Sequence, residues 1–232
     1  MPAGFQVFNE GGVIQVGDDW KNFALIDKVT KASANINFGR GFNGVQYDLE
    51  NYSDLVFIRS EQAFGVPAII HEPGSPSRLY VASAGSAGTP LTLYVFRQQP
   101  PTPTTFGLQV FNSSGELMFD AVSKFCKIEA VLPNTNMEVV TSFQLLDGKD
   151  YAVMVPTYAG KETVTVNNIG GEYMVTKTYN AKRVLIEGSK VSSGHYVTWT
   201  AFQQRFSGSV PPPSAIFTFP GGPLVVADVT NY

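Results

Sequence analysis

The sequence predicts an all-β protein made of two tandem antiparallel, sandwich-like domains that arose by internal duplication. Short runs rich in Val, Thr, Tyr and Phe alternate with clusters of Gly, Pro and Ser, a pattern typical of β-sandwiches. No segment has a sustained 3.6-residue apolar period with capping residues, so little helix is expected beyond a short turn at residues 18–21. One phrase also occurs twice in the chain, which indicates the duplication.

The repeated phrase predicts the same β-hairpin near the start of each domain. Residues 4–12 read GFQVFNEGG and residues 107–115 read GLQVFNSSG. Each copy contains Phe-Asn and has a Gly three residues after the Asn. Each is followed by a second strand-like run, at 13–16 and 116–119. With one residue skipped, residues 22–27 then align with residues 124–129. A weaker echo at residues 216–226 predicts a third, C-terminal hairpin.

A proline-rich segment marks the predicted domain boundary. Residues 98–105 read QQPPTPTT, and prolines favour extended polyproline II geometry, which acts as a semi-rigid spacer. The segment falls immediately before the second copy of the phrase. We therefore expect a first β domain at 1–99, a linker at 100–105 and a second β domain at 106–232 that ends in the C-terminal hairpin.

Individual strands are predicted from short β-rich runs, and turns from Gly and Asn. Asp147-Gly148 and residues 168–171 are hairpin candidates. The predicted strands are 55–58, 68–70, 78–82, 91–96, 139–145, 151–155, 163–166, 172–178, 183–187 and 196–202.

Composition excludes several classes of partner. The chain has 232 residues and a net charge of −3, with Lys and Arg scattered, so a basic surface for nucleic acid is not expected. No apolar run approaches the ~20 residues that a membrane span needs, and the first residues do not resemble a signal peptide. Only 15% of residues are charged, below the roughly 25% of typical soluble domains. This favours a surface covered by copies or partners, with a Thr/Ser/Asn-rich surface as the alternative.

Catalytic, cofactor and metal sites are not predicted. The chain has one Cys and two His, too few for a structural zinc site, and Cys126 is expected to be buried in a strand. Residues 39–44 match G-x-G-x-x-G, but a strand pattern follows where a nucleotide site needs a helix. Asp48 and Glu50 lie on one face of that strand, so glycoside hydrolysis remains an alternative to a solvated strand face.

Four tyrosines are candidate surface contacts because they lie near loops rich in Asn, Gly and Asp. Tyrosine can stack on a sugar or anchor a protein interface. Packing in the core or at its rim is the alternative for each. The four are Tyr47, Tyr52, Tyr158 and Tyr179.

The repeated phrase and the end of the chain carry a resemblance to a known family. Residues 4–12, residues 107–120 (GLQVFNSSGELMFD) and residues 224–232 (LVVADVTNY) resemble small tailed-bacteriophage proteins encoded near tail-fibre and tail-tip genes. Those proteins pair a GLQVFN-x-x-G-x-x-x-FD hairpin with an end like DVTGY. The first copy departs from this pattern at residues 15–18, and Asn231 stands in place of Gly. The resemblance implies a minor structural protein of a virion tail and assigns no catalytic residue.

The expected function is therefore a non-enzymatic component of a phage tail, at the tail tip or associated with a tail fibre. We expect it to be made in the host cytoplasm, to bind other tail proteins and a host surface glycan or protein receptor, and to form a homo-oligomer in the virion. The alternatives are a stand-alone carbohydrate-binding module or adhesin, a capsid decoration protein, and a hydrolase of surface polysaccharide.

Overall fold

The structure is a computed structural model that describes residues 6–8, 14–17, 22–36, 42–70, 76–100, 103–133, 140–156, 160–169, 172–206, 214–219 and 222–232. Within these ranges the regular elements are all strands, which confirms the predicted all-β class. In chain order the strands are β1 Gln6–Phe8, β2 Ile14–Gly17, β3 Phe23–Ala32, β4 Ala34–Ile36, β5 Phe42–Leu49, β6 Leu55–Arg59, β7 Phe64–Ile70, β8 Ser77–Ser83, β9 Pro90–Gln98, β10 Gln109–Phe111, β11 Leu117–Asp120, β12 Lys127–Leu132, β13 Thr141–Gln144, β14 Tyr151–Met154, β15 Gly160–Ile169, β16 Glu172–Glu187, β17 Lys190–Phe206, β18 Ala215–Phe219 and β19 Leu224–Asp228.

Two large antiparallel sheets face each other across one core. One sheet has the strand order β12-β19-β14-β6-β9-β3. The other has the order β13-β17-β16-β7-β8-β5-β4, and β15 pairs with β16 and carries β18 on its other side. Alternate residues of each strand enter the core, as a pleated strand requires: Leu91, Leu93 and Val95 of β9 are buried against Val81 of β8 and Phe64 of β7.

The two predicted domains share both sheets and the core, which corrects the expectation of tandem domains. β14 pairs with β6 through Val153 and Ile58, and β16 pairs with β7 through Val184 and Phe64. Each of these pairs joins a strand from residues 106–232 to a strand from residues 1–99. Residues 1–99 and residues 106–232 therefore supply strands to both sheets and buried side chains to one core.

Two of the predicted hairpins are also wrong. The predicted C-terminal hairpin is absent, since β18 pairs with β15 in one sheet and β19 pairs with β12 and β14 in the other. Asp147-Gly148 also connects strands of different sheets, because β13 pairs with β17 and β14 with β19. The prediction at residues 168–171 is confirmed, as β15 and β16 pair from Ile169↔Glu172 onward.

The repeated phrase forms the same hairpin twice. In β1–β2, Gln6 pairs with Gly17 and Phe8 with Ile14; in β10–β11, Gln109 pairs with Asp120 and Phe111 with Leu117. Both ladders carry a register shift directly before the Phe, the mark of a β-bulge. β2 also approaches β11, so the two hairpins are neighbours.

The segments that follow the hairpins join the two edges of the six-stranded sheet. Ala24, at the start of β3, forms an antiparallel bridge with Phe125, which lies two residues before β12. The Leu25 amide donates to the Lys124 carbonyl at 2.7 Å, and the Cys126 amide donates to the Phe23 carbonyl at 2.8 Å. Since β3 and β12 are the outermost strands, the sheet closes at this end as a barrel does.

A second apolar cluster lies on the face of the six-stranded sheet opposite the main core. Phe57 and Phe96 meet edge to face, with ring centroids 5.7 Å apart, and Tyr232 packs on Phe96 at 5.9 Å. Ala152 and Ala227 complete its buried floor. The sheet is thus buried on both faces around its centre.

Candidate interaction surface

The second hairpin is organised around the carboxylate of Asp120. Asp120 is fully buried, and its Oδ2 accepts from the Thr104 amide at 3.0 Å, the Thr104 hydroxyl at 2.8 Å and Gln109 Nε2 at 2.9 Å. Its Oδ1 accepts from the Val122 amide at 2.9 Å. These donors, led by Gln109, lower the pKa of Asp120 to about 2. The carboxylate therefore holds the chain before, within and after the hairpin in one arrangement.

The turn of this hairpin is fixed by Asn112. Its Oδ1 accepts from the amides of Ser114 at 3.0 Å and Glu116 at 2.9 Å, while its Nδ2 donates to Glu116 Oε2 at 2.7 Å. Gly115 has a φ of 79°, a conformation that favours glycine. Gln109, Asn112, Gly115 and Asp120 therefore build the second hairpin.

The hairpin is joined to the body of the protein at its base. The rings of Phe119 and Phe125 stack with centroids 5.0 Å apart, and Phe125 bridges Ala24 at the closed end of the six-stranded sheet. The Ala121 amide also donates to the Leu108 carbonyl at 2.9 Å. These contacts hold the second hairpin against the six-stranded sheet.

The second hairpin and the residues that flank it carry large apolar side chains that face solvent. We call the exposed side chains of Phe106, Leu108, Phe111 and Val122 the hairpin patch; they are 83%, 55%, 52% and 53% exposed. Gly107, between the first two, has a φ of 110°, and a Cβ there would lie 3.2 Å from Val122 Cγ2. Contiguous exposed apolar residues typically mark an interaction site, and these four all lie in the second hairpin or in the residues that flank it.

The two copies of the hairpin differ at the position of the buried carboxylate. Gly17 is paired with Gln6 where Asp120 is paired with Gln109. Within the described residues the first copy therefore has a glycine where the second has its buried carboxylate.

The last five residues, DVTNY, also have structural roles. Asn231 has a φ of 65°, in the left-handed region that glycine and asparagine tolerate best. Asn231 therefore occupies a position that glycine would also suit. The Tyr232 hydroxyl donates to the Phe125 carbonyl, and burial raises the pKa of Tyr232 to about 12. Tyr232 thus contacts Phe125 where the six-stranded sheet closes, at the base of the second hairpin.

The four candidate tyrosines occupy different environments. Tyr47 is half-buried between the sheets, where its hydroxyl donates to Asp27 Oδ2 of the opposite sheet at 2.7 Å; burial, helped by this bond, raises its pKa well above the ordinary value. Tyr52 is 77% exposed. The backbone of Tyr179 lies in β16, in register with Glu162 and Trp199. Tyr158 lies outside the described residues. The described geometry does not bring the four together.

The carboxylates proposed for glycoside hydrolysis are each bound to a different arginine. Asp48 Oδ1 lies 2.9 Å from Arg78 Nε, and Glu50 Oε2 lies 3.1 Å from Arg97 Nη1. Cys126 is half-buried against the second apolar cluster, and burial raises the pKa of its thiol to about 12. His71 lies outside the described residues.

Comparisons with known proteins add no relative. The chain matches no protein-family model, no curated protein and no solved structure. Across the described part of the chain, no helix is long and apolar enough to cross a membrane. The described ranges also hold no group of three or more His, Cys, Asp or Glu placed to bind a metal ion.

Proposed function

We propose that this chain is a non-enzymatic structural protein of a phage tail, located at the tail tip or beside a tail fibre. In this proposal it binds other tail proteins through the hairpin patch, and its copies assemble in the virion with part of their surface turned to the host. The observation that carries the proposal is the hairpin patch, because it presents apolar surface on a backbone that is already fixed. A fixed backbone lowers the ordering cost of association.

The resemblance of the hairpin and end motifs to tail proteins supplies the class of partner. In the structure the residues of both motifs meet at the closed end of the six-stranded sheet, through Phe125 and Tyr232. A hairpin whose backbone is fixed, with Leu108 and Phe111 exposed on it, suits a protein that binds neighbouring parts of an assembly. The sugar-binding alternative depends on exposed aromatic faces, and Tyr52 is the exposed one among the described candidate tyrosines.

Immunogold labelling of intact virions tests the proposal directly. Gold at the tail tip or fibres is expected. Gold on heads would favour a capsid decoration protein. Unlabelled virions, with the protein also absent from disrupted particles by mass spectrometry, would refute a virion role and favour the stand-alone binding module.

Substitutions in the hairpin patch test the contact itself. Phage that encode Phe106→Ser together with Leu108→Ser are expected to incorporate much less of the protein, because exposed apolar anchors carry much of an interface. Val131→Ser on β12 is the matched control, since Val131 is also an exposed apolar residue but lies outside the hairpin. Equal incorporation of both variants would show that the hairpin patch is not the contact.

A further inference from the structure

A groove of about 220 Å³ lies on the outer face of the nine-stranded sheet, where β16, β17 and β13 are neighbours. Arg183 and Leu185 of β16 line it, and they flank Val184, which is buried in the main core. Because successive residues of a strand point to opposite faces, Arg183 and Leu185 lie on the face away from the core. In register, Leu185 is opposite Ser192 of β17, and Ser192 is opposite Ser142 of β13.

A glycine leaves open space beside the arginine. Arg183 is in register with Gly194 of β17, directly after a register shift in the ladder. Gly194 has a φ of 140°, a conformation that glycine adopts readily and other residues rarely do. Val140, directly before β13, also lines the groove and is 50% exposed. The missing side chain at position 194 therefore gives the groove its depth next to Arg183.

The lining has one positive charge that the described residues do not neutralise. Among them, none forms a hydrogen bond or an ion pair with the guanidinium of Arg183. The other two charged residues of the lining, Glu187 and Lys190, are opposite each other in register and balance one another. A single excess positive charge favours a monoanion. A dianion, such as a phosphate monoester, would also be repelled by Glu187.

The groups around Arg183 match those of an acidic sugar. The planar guanidinium can donate two parallel hydrogen bonds to a carboxylate. The hydroxyl oxygens of Ser142 and Ser192 lie 3.1 Å apart. Only one proton is used between them, so the pair keeps one donor and several lone pairs for a ring hydroxyl. Leu185 and Val140 supply apolar surface for the C–H groups of a ring.

The size and position of the groove favour a single sugar ring over an acidic peptide. A cavity of roughly 150 Å³ can hold benzene, so about 220 Å³ suits one pyranose ring. The backbone groups of β13, β17 and β16 are used in the ladders between these strands. The groove therefore lacks the free strand edge through which extended peptides typically pair.

We propose that this groove is a binding site for one hexuronate ring, the carboxylate-bearing unit of an acidic glycan. Arg183 binds the carboxylate, the Ser142–Ser192 pair binds a ring hydroxyl, and Leu185 contacts the C–H face of the ring. The site is separate from the hairpin patch and goes beyond the proposed tail function, on which it does not depend.

Titration of the whole protein with methyl β-D-glucuronide and methyl α-D-galacturonide, followed by NMR, tests the site. Saturable one-to-one binding of at least one of them is expected, with a dissociation constant on the order of 1 mM for so few atoms. Methyl β-D-glucoside, which lacks the carboxylate, and acetate, which lacks the ring, are the matched ligands. Each is expected to bind about tenfold more weakly than the preferred hexuronide, because each lacks one half of the recognised group.

Two variants tie the binding to the groove. Arg183→Gln removes the charge and should weaken hexuronide binding about tenfold, and Ser192→Ala removes one hydroxyl and should weaken it about threefold. Arg78→Gln is the matched control, because Arg78 belongs to the same sheet but pairs with Asp48 outside the groove. It should bind like the parent protein. A melting curve for each variant verifies folding; if Arg183→Gln does not fold, Ser192→Ala decides.

The proposal fails if neither hexuronide shows saturable binding up to about 10 mM. Equal binding of the neutral glucoside would refute recognition of the carboxylate, and equal binding of acetate would refute recognition of the ring. Folded groove variants that bind as tightly as the parent and the Arg78→Gln control would show that the ligand binds elsewhere.

Discussion

Replacing Asp54 by alanine should destabilise the protein substantially, because its carboxylate forms a buried, two-pronged pair with Arg97. Removing one partner of a buried pair typically costs 3–5 kcal/mol, since it leaves the other charge without compensation. Here Arg97 is 20% exposed and keeps a contact with Glu50 at 3.1 Å, which reduces the loss. We therefore expect the free energy of unfolding to fall by about 2–3 kcal/mol, equivalent to a Tm lower by about 5–10 °C for a chain of this length.

Denaturant and thermal unfolding, with circular dichroism as the signal, measure this loss. Asp54→Asn should fall between the parent and Asp54→Ala because the amide keeps one acceptor oxygen. Asp48→Ala is the matched control, since Asp48 also pairs with an arginine but its side chain is 55% exposed. Exposed pairs contribute little, so the control should lower Tm by less than about 3 °C. If Asp54→Ala lowers Tm no more than Asp48→Ala does, the argument from burial is wrong.

Three other predictions concern single residues. Asp120→Asn should have a lower free energy of unfolding than the parent protein at pH 7, and this difference should shrink between about pH 4 and pH 2. The pKa of Asp120 in the folded protein is about 2, below the ordinary ~3.9. The carboxylate's contribution to stability is therefore lost as the pH falls through that window. A deficit that stays constant across urea titrations at pH 7, 4 and 2 would contradict this. Asn231→Gly should leave stability unchanged or slightly raised, whereas Asn231→Val should lower it by about 1–2 kcal/mol because its φ is 65°; equal melting curves for the two would count against the left-handed conformation. Cys126 should react with iodoacetamide far more slowly when folded than in urea, since its pKa of about 12 leaves almost no thiolate at pH 8; equal rates would show that the thiol is accessible and ordinary.

The strands themselves could be predicted, because alternation and turn residues are local signals. The predicted strands at 55–58, 78–82 and 91–96 lie within β6, β8 and β9. The break predicted between 178 and 183 was wrong, since β16 runs through it with β15 and β17 paired on its two sides. Local propensity there is overridden by tertiary pairing.

Strand partners could not be predicted, because a period of two identifies a face of the strand and not its neighbour. Gly148 has the positive φ of a turn glycine, at 79°, yet the strands on either side of it enter different sheets. The same limit explains why the sequence predicts the wrong domain division: the proline-rich segment is a local signal, but the pairing of β6 with β14 has no local signature.

Part of the candidate site could be predicted as well. The repeated motif indicated two equivalent hairpins, and their registers agree. The role of Asp120 could not be predicted, because one of its donors is Thr104, which lies in the predicted linker. The inward position of Tyr47 could be predicted from the sequence. Tyr47 lies two residues from both Val45 and Leu49, which are in the core, and residues two apart on a strand share one face.

The interleaving of the two halves has a consequence for how the chain acquires its structure during synthesis. β6 stays without its neighbour β14, and β3 without its bridge to Phe125, until the second half has been made. Pairings between segments so far apart along the chain form slowly, because a long loop must close first. The nascent first half therefore exposes unpaired strand edges and half of an apolar core, the features that make a folding intermediate prone to aggregation. We expect the segment 1–99 expressed alone to collect in inclusion bodies, and co-expression of 100–232 to increase its soluble yield.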